Sequence, residues 1–232
     1  MLTPSRRRGF EILDDPGVDP AVRLASMGDV ARSNRWLGGL RAASRELRDV
    51  LRRLPREQPV TLLDVGTGLA DIPHEAARAA RELGIGLTTI GLDGAATVLA
   101  EARQRISCVV CASALSLPFA DGSVDVVICS QLLHHFAEDD AARVLRELDR
   151  VARHAVIVSD LRRSWIAATG FWLASFPLGF HRVTRHDGVV SVLRGFTPGE
   201  LRSLVGASVA AAPTVTRRLG FRLTARWSPP GL

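Results

Sequence analysis

Thr61-Leu62-Leu63-Asp64-Val65-Gly66-Thr67-Gly68-Leu69-Ala70-Asp71 is a short apolar strand that ends in an acid, turns on glycines and opens a helix near Asp71. Glycine takes the left-handed backbone of a tight turn at little steric cost and lets a ligand approach the main chain. The helix that follows points its unpaired N–H groups at the same spot. The run therefore builds a pocket for a nucleotide-like cofactor at the C-terminal end of a strand.

Outward from this turn, apolar runs alternate between strand and helix character. Strands are expected at Val60–Val65, Leu87–Leu92, Ser107–Cys111, Val124–Cys129 and Ala155–Ser159, with helices at Ile72–Leu83, Ala95–Arg105 and Asp139–Ala152. Such alternation implies a parallel sheet with helices on both faces. Thr197-Pro198-Gly199-Glu200 is a capping box with proline at the first helical position, and its helix is expected to reach about Val209. Val215–Leu219 and Phe221–Trp227 then read as a hairpin turning at Gly220. Upstream, residues 1–19 read as an irregular arm. Two helices, Ala21–Ala31 and Leu37–Leu54, follow, joined by Asn34-Arg35-Trp36.

All 30 basic residues are arginine, which excludes a lysine nucleophile, a Schiff base or a P-loop lysine. The net charge of +6 is spread over small clusters, often opposite acids at helical spacing, so no nucleic-acid partner is expected. Cys108, Cys111 and Cys129 lie in apolar, strand-like runs. They imply reduced thiols in a cytoplasmic protein, and the lone C-x-x-C implies no metal site. The basic start has no apolar h-region behind it. Ser164 to Phe180 carries no charge but falls short of the roughly 20 residues a membrane span needs. A lid or buried segment is expected there, with room for peripheral membrane contact.

The acids around the turn narrow the cofactor. A dinucleotide loop wants G-x-G-x-x-G, but Asp71 stands where the third glycine belongs, and Asp64 adds a second negative charge. A pyrophosphate is disfavoured there, whereas a ligand with an amino group, a sulfonium and a ribose is suited. Asp93, at the end of Gly91-Leu92-Asp93, can take both ribose hydroxyls. Together with Leu117-Pro118-Phe119-Ala120-Asp121-Gly122-Ser123-Val124-Asp125, the loop Ser130 to Phe136 and the terminal hairpin, these residues resemble the class I S-adenosylmethionine (SAM)-dependent methyltransferases over about two thirds of the chain. The resemblance implies a Rossmann-like α/β three-layer sandwich. Its seven-stranded sheet would be mostly parallel, with an antiparallel C-terminal hairpin strand. It implies one domain: a helical cap at 1–56, a SAM-binding core at 57–160, a substrate lid at 161–196 and a terminal helix with hairpin at 197–232. SAM is the implied cofactor and S-adenosylhomocysteine the product. The implied cofactor contacts are Asp64, Gly66, Thr67, Gly68, Asp71, Asp93, Gly94, Ser113, Ala114 and Ser130, with Arg32 on the methionine carboxylate. Two departures stand out: Ala70 replaces a frequent third glycine, and Ser113 stands near a frequent adenine-binding acid.

Methyl transfer to oxygen or nitrogen is helped by a base, and histidine suits that near neutral pH. Three candidates follow: His134 and His135 after the fourth strand, and His186, with Asp187 to orient it. Asp160 reads equally as a substrate contact or a helix cap. The aromatic insertion after the fifth strand suits an apolar or aromatic small-molecule acceptor. The insertion and prefix resemble bacterial methyltransferases of polyketide, quinone and phenolic-lipid pathways. That likeness implies O-methylation of a phenolic or polyketide hydroxyl, with C-methylation of a quinol-type ring close behind. RNA methylation and a non-catalytic SAM-binding or partner-binding domain remain as alternatives. The expected assembly is a monomer or homodimer.

Overall fold

The computed structural model describes residues 3–15, 17–55, 58–106 and 108–230. The expected boundary at 56/57 and Ser107 lie outside these residues. Two helices, α1 (Pro20–Trp36) and α2 (Gly39–Leu51), precede the alternating core β1 (Val60–Val65), α3 (Asp71–Leu83), β2 (Leu87–Asp93), α4 (Ala96–Ala102), β3 (Cys108–Cys111), β4 (Val124–Ser130), α5 (Glu138–Val151) and β5 (Ala152–Leu161). Then come α6 (Trp165–Ser175), α7 (Arg182–Arg194), α8 (Pro198–Ser208) and the hairpin β6 (Thr214–Arg218)–β7 (Arg222–Trp227). The seven strands order as β3-β2-β1-β4-β5-β7-β6, and only β7 runs against the rest, since β6 is antiparallel to β7 in turn. This is the mostly parallel, Rossmann-like sheet that the motif order implied.

Both faces of the sheet are buried, which is why its strands are apolar almost without interruption. Leu63, Val65, Val127 and Val156 pack towards Val144, Leu145 and Leu148 of α5 and Leu201 of α8. Their neighbours Leu62, Val126, Ile128 and Ile157 point the other way, onto Leu47 and Leu51 of α2 and Ala76 and Ala80 of α3. The two-residue period of the strands thus feeds two cores. The order in which strands join the sheet reverses between the parallel neighbours β1 and β4, whose ends pair at Val65 and Cys129. Ligands of open α/β sheets sit outside the strand ends at such a reversal.

Several boundaries differ from expectation. Asn34-Arg35-Trp36 is the last turn of α1, not a linker. The buried residues of α1 are Ser26, Asp29 and Ser33, so apolar periodicity does not mark its length. β5 starts three residues early, at Ala152, directly from α5. The segment 161–196, expected as a lid, folds as two helices: Ser164 caps α6, His181 caps α7, and Gly179, at φ 63°, turns the chain between them.

α6 and α7 pack through Phe171 and Gly188. A Cβ on Gly188 would fall 2.0 Å from Phe171 Cε1. Helix propensity favours alanine over glycine by about 1 kcal/mol, while overpacking costs about 1–3 kcal/mol. Gly188→Ala is therefore expected to lose about 1 kcal/mol in denaturant unfolding. A gain in stability would show that this contact is loose.

Candidate functional site

The glycine turn lies against the end of β2. The Gly66 and Thr67 amides donate to Leu92 O at 2.8 and 2.9 Å. Gly66 sits at φ 77°, and a Cβ there would meet Leu132 at 2.9 Å. Ala70 caps α3 at φ 59°, in the left-handed region that favours glycine. So the residue that departs from the glycine pattern keeps a glycine's backbone.

Buried polar atoms converge on this turn without partners among the described residues. Asp64 Oδ1, Thr67 Oγ1 and Ser130 Oγ are all buried and unbonded, although buried polar groups are nearly always hydrogen-bonded. Burial pushes Asp64 up to about 7, and the nearby Asp93 and Asp71 push the same way, against a smaller downward pull from the neighbouring Thr67. Asp93 accepts the Gly68 amide at 3.1 Å and the Ala95 amide at 3.0 Å, which fixes its carboxylate beside the turn. Gly94 is exposed next to it. Ser113 Oγ accepts the Leu115 amide at 3.2 Å, opening the turn that carries Ala114. An orphaned acid at the strand end and a pinned acid one strand over fit a cationic, ribose-bearing ligand.

Two candidates are committed elsewhere. Asp71 is ion-paired with Arg105, 34 residues on, so it is not an unanswered charge at the turn. Arg32 pairs with Asp29, donates to Leu178 O at 3.2 Å and lies 5.2 Å from the centre of the Phe180 ring. Its partners brace α1 and the α6–α7 link, and none of them is on the glycine turn.

Beside the turn lies a cavity of about 640 Å³, walled by α1, α6, α7, the loop after β4 and the hairpin turn. Met27 belongs to both places: it lines the cavity, and its Cε lies 3.0 Å from where a Gly68 Cβ would be. The walls are largely apolar, with Ile166, Ala167, Gly170 and Phe171 contributed by α6.

His134 and His135 both line this cavity. His134 is buried, with Nδ1 2.7 Å from Asp160 Oδ1 and Nε2 unpartnered. Asp160 is no helix cap. It also accepts the His134 and Leu161 amides at 3.2 and 2.6 Å. Burial alone would raise its pKa, but His134 and these bonds hold it below the usual range. His135 is the more open ring, with Nδ1 3.1 Å from Asp14 Oδ1. Burial opposes ionisation of Asp14, yet hydrogen bonds from His135 and Arg194 bring it down to about 2. Gln131, at φ 52°, joins β4 to this loop and accepts a hydrogen bond from Arg222 Nη1 at 2.7 Å. Arg222 is a buried guanidinium, lowered to about 10 by burial against the pull of Asp160.

The arm, expected to be irregular, completes the site. Asp187 accepts the Ile12 and Leu13 amides at 2.8 and 2.9 Å. Arg194 binds Gly9 O, Glu11 and Asp14 at 2.9, 2.9 and 2.8 Å. Glu11, buried between the histidines and Arg194, is raised by that burial. Glu11, His134 and His135 offer donor atoms within 4.8 Å of one another, but the Arg194 guanidinium already answers the carboxylate. His186 stands apart. Its Nδ1 is 2.8 Å from Asp187, but its side chain is half exposed and does not line the cavity. Asp187 orients the arm as much as it orients His186.

Residues 63–158 match the model of a family described as a methyltransferase domain. No curated protein matches the chain. A SAM-dependent methyltransferase from Aquifex aeolicus is similar in structure, at 16% identity and TM-score 0.59, over 91% of this chain and 99% of its own. The C-methyltransferase (CMeT) domain of the citrinin polyketide synthase is similar at 13% identity and TM-score 0.61, over 83% and 52%. A putative O-methyltransferase from Nostoc punctiforme is similar at 15% identity and TM-score 0.56, over 84% and 60%.

Proposed function

We propose that this chain, a class I methyltransferase by the fold of its sheet and by the family of residues 63–158, moves a methyl group from SAM to a small apolar or aromatic acceptor. O-methylation of a phenolic or polyketide-type hydroxyl suits the site best. One observation carries this: an apolar cavity adjoins the glycine turn, and two histidine–carboxylate pairs stand in its wall. Neighbours on the same fold include a putative O-methyltransferase and a methyltransferase-type domain of a polyketide synthase.

Asp64, Thr67 and Ser130 would hold the amino-acid end of SAM, Asp93 the ribose, and Ser113 with Ala114 the adenine side. When bound, SAM supplies a methyl already activated on a sulfonium, so the chain's work is alignment and proton handling. Apolar walls exclude water and align the acceptor. The His135 ring, held at Nδ1 by Asp14, takes the acceptor proton. Asp160 fixes the His134 ring and shapes the loop around it.

A mass-spectrometric screen of phenols, quinols and polyketides with SAM is expected to find an acceptor that gains one methylene. Gain by bulk tRNA alone would refute the small-molecule reading. With the acceptor in hand, His135→Ala is expected to slow turnover by about 10²-fold or more while SAM still binds. His186→Ala, outside the cavity, is expected to turn over close to the parent. The opposite ranking would move the base to His186.

A further inference from the structure

Apart from Ile166, which also reaches the cavity, the outer face of α6 has no part in the site. Trp165, Ile166, Trp172, Leu173 and Phe176 are each between 39% and 57% exposed. Five of the nine large apolar side chains exposed among the described residues therefore stand on one eleven-residue helix and its cap. A surface helix of a globular protein ordinarily turns polar residues outward, but α6 has none with a charge. Arginines take the place of that polar face. Arg7 lies 5.2 Å from the Trp165 ring centre, Arg185 3.9 Å from Phe176 and Arg32 5.2 Å from Phe180. Arg182 is exposed on the first turn of α7.

Tryptophan and phenylalanine ringed by guanidinium groups match the boundary between acyl chains and anionic headgroups. A second copy would bring the same arginines against each other on a chain of net charge +6. The other side of α6 supplies Ala167, Gly170 and Phe171 to the cavity, so this helix separates the exposed aromatic face from the cavity. Among the described residues no helix is long and apolar enough to cross a membrane, so the contact is peripheral.

We propose that α6 docks the chain on an anionic lipid bilayer and that apolar acceptors enter the cavity past it. The entry route rests on the methyl-transfer reading. The docking does not, and the experiment below uses neither SAM nor acceptor.

The whole chain is floated with vesicles of phosphatidylcholine mixed with phosphatidylglycerol, and with vesicles of phosphatidylcholine alone. Binding to the anionic vesicles is expected to be about tenfold tighter or more, with tryptophan emission quenched by brominated acyl chains. The triple variant Trp172→Ser, Leu173→Ser, Phe176→Ser, confined to exposed side chains, is expected to keep its thermal melt and lose at least about tenfold in vesicle binding. Three results overturn the proposal. One is no binding to anionic vesicles at low salt. Another is a triple variant that binds like the parent, which would assign the contact to other arginines. The third is a parent that is dimeric, ignores vesicles and becomes monomeric with the triple change, which would give the face to a second copy.

Discussion

Asp64→Asn is expected to weaken SAM binding by about 10- to 100-fold, as the loss of a charge-assisted hydrogen bond would do, while making the ligand-free chain more stable at pH 8. The two effects have one cause. Asp64 is buried near the end of β1 with Oδ1 unpartnered, and burial raises its pKa to about 7 from the ordinary aspartate value of 3.8. A carboxyl that holds its proton more tightly in the fold than in the unfolded chain adds stability at low pH. That contribution drains away as pH rises from about 4 to about 7. A rise of that size corresponds to about 4 kcal/mol, as an order of magnitude. Asparagine fills the same space and has no proton to lose. Denaturant unfolding of parent and variant from pH 4 to 8, without ligand, measures the difference. It should be small in acid and grow in the variant's favour to a plateau above pH 7. A cationic amino group would answer the ionised carboxylate, so SAM binding should tighten across the same interval in the parent only. Parallel stability curves, or equal SAM affinity in the two proteins, would remove Asp64 from the cofactor site.

Asp160→Ala is expected to cost about 3–5 kcal/mol of stability, the usual loss when one partner of a buried ionic group is removed, and to abolish turnover. Asp160 gathers three donors: the His134 ring, the His134 amide and the Leu161 amide. It is also the acid that offsets Arg222, whose guanidinium is wholly buried. Its pKa is depressed, so its contribution is complete above the unfolded carboxyl's value of about 4 and is lost in acid. Asp160→Asn keeps the shape and one acceptor. If stability returns with asparagine but turnover does not, the charge that holds the His134 ring matters to the reaction itself. A variant that unfolds at the parental midpoint would show that the three bonds count for little.

The sequence legibly marks features whose cause is local. Val60–Val65 appears as expected because an apolar run closed by an acid and glycines has few other ways to fold. Thr197 and Glu200 form the capping box that their spacing announced. Contacts between distant segments were not legible. No pattern near Asp71 shows that Arg105 will take its charge, and no pattern near Glu11 shows that it will sit between two histidines and Arg194. His186 looked reactive because Asp187 follows it. The helix that forms there turns Asp187 inward and His186 outward. The acid at 187 and the arginine at 194, one face of a helix at i and i+7, are a signal that something charged lies against α7.

The arm and α7 have a consequence for motion. The Ile12 and Leu13 amides end on Asp187, 175 and 174 residues away, and Arg194 closes the same clasp on Gly9. Neither segment can be released without the other. In hydrogen–deuterium exchange the amides of residues 9–14 and those of the last two turns of α7 should open as one cooperative unit, at a single rate. An acceptor filling the cavity would slow both together, although one segment opens the chain and the other lies near its end.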